Sequence, residues 1–292
     1  MYPSRFRYEA PSTIEAAIAL LTANDDAKVI AGGQSLLPMM KLRFASPELL
    51  VDINNIPGLG YHRRDADGSI HIGALCRHAE LERSQLLRDH QPTLAAAAPL
   101  VADPIVRTRG TLVGSLCHAD PQGDWASCMV ALDGSIVAQG PNGRRVIPVR
   151  SFLTGPFQTV LAPDEIAIEA VVPAPRGVQA GGYLKLERRV GDFATAGVAI
   201  ALQTDRAGGV VTSAGIGLTG VGGSTINATE AAQSLVGSAL TVQSIARAGE
   251  LAAAASQPRT DHRGSAAYKR HIVSTFVVRI LTSVADTAEK AA

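Results

Sequence analysis

Apolar residues recur along this chain with two periods, and the switches between them outline its elements. Ser12-Thr13-Ile14-Glu15 has the S-x-x-E spacing of a capping box, in which a hydroxyl and a carboxylate satisfy amides at a helix start. Ile14, Ala17, Ile18 and Leu21 then follow at i, i+3, i+4 and i+7, one stripe of a helix. Lys28-Val29-Ile30 reads as a short strand. Leu49 to Ile53 and Ile70 to Ile72 read as two more, separated by the turn residues Asn54-Asn55-Ile56-Pro57-Gly58. The spacing predicts helices over 79–88 and 93–102, ended by Asp103-Pro104 because the residue before proline avoids the helical region. Asp124 to Leu132 is a further helix, with Trp125, Cys128, Met129 and Leu132 on its apolar face.

In the C-terminal part the period changes to two. Ile166, Ile168, Ala170 and Val172 share one face of a strand from Glu165 to Val172, and Pro173-Ala174-Pro175-Arg176-Gly177 reads as a linker. Ala196, Val198, Ile200 and Leu202 alternate, as do Val210, Thr212, Ala214, Ile216 and Leu218, so Gly208-Gly209 between them predicts a hairpin. Two helices close the pattern, over 241–256 and from about residue 265. On the second, Tyr268, Ile272, Phe276, Ile280 and Val284 recur every four residues, widened by Val273, Val277 and Leu281. Strands before helices make this second unit a small α+β domain.

Composition narrows the function classes. The 292 residues are 46% hydrophobic and 18% charged, enough apolar material for buried cores and against disorder. A net charge of +1, with no Lys/Arg run, lacks the footprint of a nucleic-acid binder. The N-terminal stretch has no apolar leader segment, and no run reaches the roughly 18 apolar residues of a membrane span, so neither is expected. Cys76, Cys117 and Cys128 are too few and too scattered for a disulfide framework or an iron–sulfur cluster, which suits a reducing, cytoplasmic setting.

Two glycine-containing stretches carry the candidate chemistry. Ala31-Gly32-Gly33-Gln34-Ser35 follows a predicted strand. Adjacent glycines let backbone amides converge on an anion and let a ligand approach the main chain, and Gln34 and Ser35 add side-chain donors. An ordinary strand-to-helix turn would look the same. Gly110-Thr111-Leu112-Val113-Gly114-Ser115 repeats the chemistry, and Arg107 and Arg109 before it supply either site charge or solvated surface. Neither stretch has dinucleotide-loop or P-loop spacing, yet two anion cradles suit one pyrophosphate. His118, Asp120 and Asp124 lack the further ligands of a metal site. Asp124 reads instead as a partner for a sugar hydroxyl or as a helix cap. His78 and Cys117 read as packing or turn residues, and no nucleophile–base arrangement is present, so no catalytic residue is assigned. Lys185, between Leu184 and Leu186, either faces solvent or offsets charge beside a flavin, and Phe193 is either core or laid against a flat ring.

Together, AGGQSLLPMMKLR, VDINNI, IGALCRHAELERS, DPIVRTRGTLVGSLCHADPQGDW, YLKLERRVGDFATAGVAIAL and the tail DHRGSAAYKRH resemble the FAD-binding medium subunits of molybdenum hydroxylases, closest to those of aerobic carbon monoxide dehydrogenases. The resemblance covers nearly the whole chain. It implies an α+β fold: a vanillyl-alcohol-oxidase-type (PCMH) FAD-binding domain over 1–176, divisible into about 1–57 and 58–176, and a CO dehydrogenase flavoprotein C-terminal-like domain over 177–292. By resemblance, Ala31, Gly32, Gly33, Gln34, Ser35 and Leu36 together with Thr111, Leu112, Val113, Gly114 and Ser115 hold the FAD pyrophosphate. Asp124 anchors the sugar portion, the Leu161 backbone contacts the ring, Lys185 lies near the flavin, and Phe193 is the aromatic beside it.

The chain departs from the family pattern at three places. Gln34 replaces a frequent histidine, Ser115 a frequent asparagine, and Val113 the first glycine of a frequent TIGGN or TIGGS. A β-branched residue is strained there if the position needs positive φ, and turns outward if it needs only close approach. The implied role is electron transfer: FAD accepts electrons from the [2Fe-2S] clusters of a small subunit, fed by a large molybdenum-cofactor subunit, and passes them to an acceptor such as quinone or NAD. The implied assembly is a dimer of heterotrimers, cytoplasmic or peripheral to the inner face of the membrane. Carbon monoxide leads as substrate, with N-heteroaromatics of the nicotine, caffeine or xanthine type next. A non-redox nucleotide-binding module and a self-sufficient flavin oxidase are the readings from other classes.

Overall fold

The computed structural model describes residues 2–291. The first segment builds a small parallel sheet flanked by two helices: β1 (Arg7–Glu9), α1 (Ile14–Thr22), β2 (Ala27–Ile30), α2 (Leu36–Lys41) and β3 (Leu49–Asp52), with strand order β1-β3-β2. The predicted stripe on α1 is real, since Ala17, Ile18 and Leu21 are buried. Its cap is displaced by one residue from the expected box: Thr13, not Ser12, sits in extended conformation, and its hydroxyl accepts from the Ala16 amide.

The middle segment contains β4 (His62–Arg64), β5 (Ile70–Gly73), α3 (His78–Glu82), α4 (Gln85–His90), α5 (Pro92–Ala97), α6 (Pro104–Arg107), α7 (Leu112–His118) and α8 (Asp124–Ala131). After these come β6 (Ser135–Gly140), β7 (Gly143–Pro148), α9 (Val149–Phe152), β8 (Leu153–Gly155), β9 (Gln158–Thr159) and β10 (Ile166–Val172). The expected helix over 79–88 is two helices, because Ser84 breaks the first and caps the second through Leu87 N at 3.1 Å. The expected helix over 93–102 stops at Ala97 and tightens into a 3-10 turn, Ala98–Leu100. Five strands pair antiparallel in the order β4-β5-β10-β6-β7.

The last segment is an antiparallel sheet, β11 (Val178–Leu186), β12 (Ala196–Thr204), β13 (Val211–Thr219) and β14 (Ile226–Asn227), covered by α10 (Thr229–Gln233), α11 (Val242–Ala255) and α12 (Ala266–Ala291). The predicted hairpin is the β12–β13 pair, with Ile200 opposite Ile216. Two cores result. One gathers Leu49, Ile72, Leu112, Trp125 and Phe152, and the other gathers Val198, Ile216, Val273, Val277 and Leu281.

The seam between them depends on missing side chains. A Cβ on Gly215 would stand 1.9 Å from the Ala131 carbonyl oxygen, and one on Gly217 2.1 Å from that of Ser127, so β13 lies directly on the backbone of α8. Thr93 on α5 also donates to the Ile200 carbonyl of β12 at 2.7 Å. Among the described residues, no helix is long and apolar enough to cross a membrane.

Candidate functional site

The first glycine stretch lies between β2 and α2. Gly33 takes a φ of 71°, a left-handed conformation that reverses the chain, and Ser35 flanks α2 without spending its hydroxyl on the cap. Gln34 folds its amide back onto the Gly32 carbonyl at 3.2 Å, while the Ala31 carbonyl accepts from Asn54 Nδ2 at 2.7 Å. Leu36 opens α2. Gly32 fixes where the loop sits: a Cβ there would be 2.2 Å from the Arg109 carbonyl oxygen. The two glycine stretches, nearly eighty positions apart, are therefore in backbone contact.

The second stretch is a helix start rather than a free loop. Thr111 caps α7 by accepting from the Gly114 amide at 3.1 Å, and a Cβ on Gly114 would stand 2.7 Å from that same hydroxyl oxygen. The amides of Leu112 and Val113, in the first turn, have no intrahelical partner. Val113 meets neither expectation for a replaced glycine. It has ordinary helical backbone, so it is not strained, and its side chain turns inward into the first core at 2% exposure. Only its amide is available to a ligand.

The preceding arginines divide. Arg107 is not a site charge: it is buried, pairs with Glu82 at 2.9 Å and donates to the carbonyls of Val101 and Ala102 at 3.1 and 2.7 Å. Arg109 is exposed. The arginine that joins the loops is Arg77, which the sequence reading missed. Its Nη1 donates to the Arg109 carbonyl at 2.7 Å and its Nη2 to Asn54 Oδ1 at 2.5 Å, while Asn54 holds Ala31. A planar guanidinium reaches two such acceptors at once. The only hint in the sequence was that Asn54 and Arg77 both fall inside quoted motifs.

His78 supports this staple from below. Its amide donates to the Gly110 carbonyl at 2.9 Å, and its Nδ1 accepts from Trp125 Nε1 at 3.0 Å. Burial, reinforced by the charges of Arg107 and Arg77, pushes its pKa down to about 3, so the ring is a neutral packing group.

A second cluster forms around Asp124, the first residue of α8. Gly123 takes the cap position, so Asp124 is not the helix cap. Its Oδ1 accepts from the Tyr183 hydroxyl at 2.5 Å, and its Oδ2 lies 3.2 Å from Lys185 Nζ. Burial pushes the Asp124 pKa up, and Lys185 and Tyr183 oppose the shift. Lys185 does not face solvent: its side chain is 1% exposed. Its ammonium also donates to the carbonyls of Leu100 and Asp192 at 2.5 and 3.1 Å and lies 3.3 Å from Glu187.

Phe193 is not core. It stands 48% exposed in the β11–β12 connection, next to the Asp192 carbonyl that Lys185 holds. Leu161 follows β9 and packs against the first core. His118 and Asp120 approach no closer than 4.0 Å, and the His118 ring lies 5.1 Å from that of Phe157. No group of three metal-ligating side chains occurs among the described residues.

The donor set at the joined loops fits a diphosphate. Amides at the starts of α2 and α7 and the hydroxyls of Ser35 and Ser115 are present, and no carboxylate lies within 31–36 or 111–115. What sets the site apart from an ordinary pair of turns is the backbone contact between two such starts.

Comparison with known proteins agrees in both parts of the chain. The family described as FAD binding domain in molybdopterin dehydrogenase matches residues 4–175, and the CO dehydrogenase flavoprotein C-terminal domain matches residues 182–284. The carbon monoxide dehydrogenase medium chain of Hydrogenophaga pseudoflava is 40% identical over 97% of this chain and 98% of its own. The nicotine 6-hydroxylase medium subunit of Paenarthrobacter nicotinovorans is 37% identical over 94% and 95%. The solved structure of the Hydrogenophaga pseudoflava carbon monoxide dehydrogenase lacking the Mo-pyranopterin moiety superposes with a TM-score of 0.92, at 41% identity and 99% coverage of both chains.

Proposed function

Since the chain belongs to the family of FAD-binding flavoprotein subunits of molybdopterin dehydrogenases, we propose that its two joined loops hold the FAD diphosphate and that it serves a carbon monoxide-oxidising complex. When bound, FAD supplies a redox centre that takes up electrons one at a time and releases them to a second acceptor. The residues of the chain bind and orient it. Ala31 to Leu36 and Thr111 to Ser115 grip the diphosphate from two sides, through amides and hydroxyls that leave its charge unopposed by any carboxylate. Asp124 and Lys185, already paired, act as one unit beside the sugar and ring portions, and the Leu161 backbone and the Phe193 ring flank the isoalloxazine. None of these residues is assigned a proton transfer; the proton that a flavin takes up on two-electron reduction would come from solvent.

The backbone contact at Gly32 carries this reading, because it makes one cradle of two distant segments. The partners are a small subunit with [2Fe-2S] clusters and a large molybdenum subunit, in a doubled heterotrimer that delivers electrons to a quinone or NAD. Placement in the cytoplasm, or against the inner face of the membrane through the complex, belongs to the same proposal. Carbon monoxide is favoured by the 40% identity to one carbon monoxide dehydrogenase medium chain and the 36% identity to that of Afipia carboxidovorans. The 37% identity to a nicotine 6-hydroxylase subunit supports a second reading, the same role with an N-heteroaromatic substrate.

The test has two stages. The purified chain is expected to bind FAD and show flavin absorption, with FAD recovered on denaturation. The complex isolated with its co-expressed subunits is then mixed anaerobically with carbon monoxide, nicotine or xanthine. Bleaching of the flavin band by carbon monoxide alone supports the first reading. Bleaching by a heteroaromatic alone replaces it with the second.

A further inference from the structure

The tail sequence DHRGSAAYKRH lies more than sixty residues beyond the last cofactor-binding position, and nothing in the site so far uses it. In the structure it reaches back to the segment that presents Phe193. We propose that Arg263, in the turn ahead of α12, is a positioning residue that locks the Asp192–Phe193 peptide and thereby fixes the Phe193 ring where the flavin lies against it. This rests on the reading of Phe193 as the aromatic beside the ring.

The contacts are specific. Arg263 Nη1 donates to the Phe193 carbonyl at 2.8 Å, and Nη2 to Asp192 Oδ1 at 3.2 Å. That same Oδ1 accepts from the Phe193 amide at 2.8 Å, so the backbone is held on both sides of the Phe193 side chain. Asp192 Oδ2 faces Arg188 at 3.2 Å, and the Asp192 carbonyl accepts from Lys185 at 3.1 Å. Before it, Gly191 turns at a φ of 84° against the Asp103 amide, where a Cβ would come within 3.0 Å.

An exposed phenyl ring on a surface connection would ordinarily swing freely. Here Phe193 stands 48% exposed, while the side chains that hold its backbone, Arg263 and Asp192, are each only 10% exposed. A fixed backbone carrying an uncovered flat ring is what a stacking position requires.

Arg263 is itself braced by other residues of the tail sequence. Asp261 Oδ1 accepts from the Arg263 amide at 2.9 Å, and Asp261 and Gly264 exchange backbone hydrogen bonds at 3.1 and 3.2 Å. Lys269, 3% exposed at its side chain, ties Asp261 Oδ2 at 2.7 Å to the Arg259 carbonyl at 3.1 Å. The fork of Arg263 reaches the carbonyl and the carboxylate together, which a single ammonium does less well.

The experiment uses the full chain loaded with FAD, in the wild type and in Phe193→Ala, Arg263→Ala, Arg263→Lys and the surface control Arg247→Ala. Visible circular dichroism of the bound flavin and its midpoint potential are read together with FAD content and trypsin cleavage after Arg188. Phe193→Ala is expected to shift both the dichroism and the potential. Arg263→Ala should reproduce those shifts in sign, keep its FAD and gain cleavage at Arg188. Arg263→Lys should fall between Arg263→Ala and the wild type, and Arg247→Ala should match the wild type. A shift in Phe193→Ala with none in Arg263→Ala or Arg263→Lys would overturn the positioning role alone. If Phe193→Ala leaves both signals unmoved, the stacking assignment fails and the inference falls with it. Complete loss of FAD from a folded Arg263→Lys chain would also overturn it, because the arginine would then be a cofactor ligand.

Discussion

His78 provides the sharpest test of how the second loop is supported. Its Nδ1 accepts from Trp125 Nε1 at 3.0 Å, and the residue is 5% exposed, so protonation would break that bond and strand a charge between Arg107 and Arg77. Folding lowers its pKa from 6.5 to about 3. The unfolded chain therefore takes up the proton first, and stability falls as pH drops through the window from 6.5 to about 3. One proton linked across that window is worth about 1.4 kcal/mol per pH unit, so between pH 7 and pH 5 this residue alone should remove about 2 kcal/mol. Replacing it in His78→Gln keeps an acceptor for Trp125 and removes the titration. Urea unfolding of the FAD-free chain, followed by Trp125 fluorescence at several pH values, gives both slopes. The wild type should lose about 2 kcal/mol more than His78→Gln between pH 7 and pH 5, with the variant lying below the wild type at neutral pH. Parallel slopes would mean that folding leaves the His78 pKa unshifted, and the account of a ring held neutral beneath the Gly110 turn would fail.

Four further outcomes follow from close contacts. Gly32→Ala places a Cβ 2.2 Å from the Arg109 carbonyl, so the two loops must part; FAD affinity, measured by fluorescence titration, should fall at least about tenfold, and an unchanged affinity would separate cofactor binding from the loop contact. Gly217→Ala drives β13 off the Ser127 carbonyl, 2.1 Å from the new atom, and should cost about 1–3 kcal/mol in urea unfolding while leaving the Gly32 contact intact. Lys185→Met strands the buried Asp124 carboxylate at a cost of about 3–5 kcal/mol, a deficit that should shrink as pH is lowered and Asp124 takes up a proton. Tyr183→Phe, which removes one donor from Asp124 and no charge, should cost less, about 1–3 kcal/mol.

How far the fold could be read in advance depended on whether a residue's partner was near it in sequence. The α1 stripe and the β12–β13 hairpin follow from local periodicity, and both formed with the expected residues buried or paired. Strands β6 and β7 escaped notice. In β7 the arginines and the exposed Val146 leave only Ile147 buried, so no alternating pattern marks it. The stretch that forms α7 reads as a loop because Gly110 before it, its Thr111 cap, Gly114 and Ser115 are loop residues by composition. Only Thr111 capping Gly114 turns them into a helix start. Val113 shows the limit most clearly. Compared with a family pattern it looked like a lost glycine, whereas in three dimensions it is an inward-facing helical residue whose amide alone concerns a ligand.

The same distinction explains why the polar residues were harder to place than the apolar ones. Arg77, Arg107, Lys185 and Arg263 are alike in the sequence: cations in motifs with glycine or carboxylates nearby. Of these, only Arg107 and Lys185 were candidates for surface charge or cofactor contact, yet all four prove to be crosslinks, Arg107 to Glu82 among them. Arg77 joins Asn54 to Arg109, Lys185 joins Leu100 and Asp124 to Asp192, and Arg263 joins the tail to Phe193. About half of these acceptors are backbone carbonyls, which any residue supplies, so no side-chain pattern announces them. A flavin ring and a diphosphate lie many ångströms apart in one molecule, and a protein that binds both ends must fix separate segments relative to each other before the ligand arrives. With the cofactor placed as proposed, that task falls to Arg77, Lys185 and Arg263, the last two with side chains 1% and 10% exposed. The expected consequence is that substitutions at Arg77, Lys185 and Arg263 impair cofactor geometry at different ends, Arg77 through the diphosphate loops and the other two through the ring.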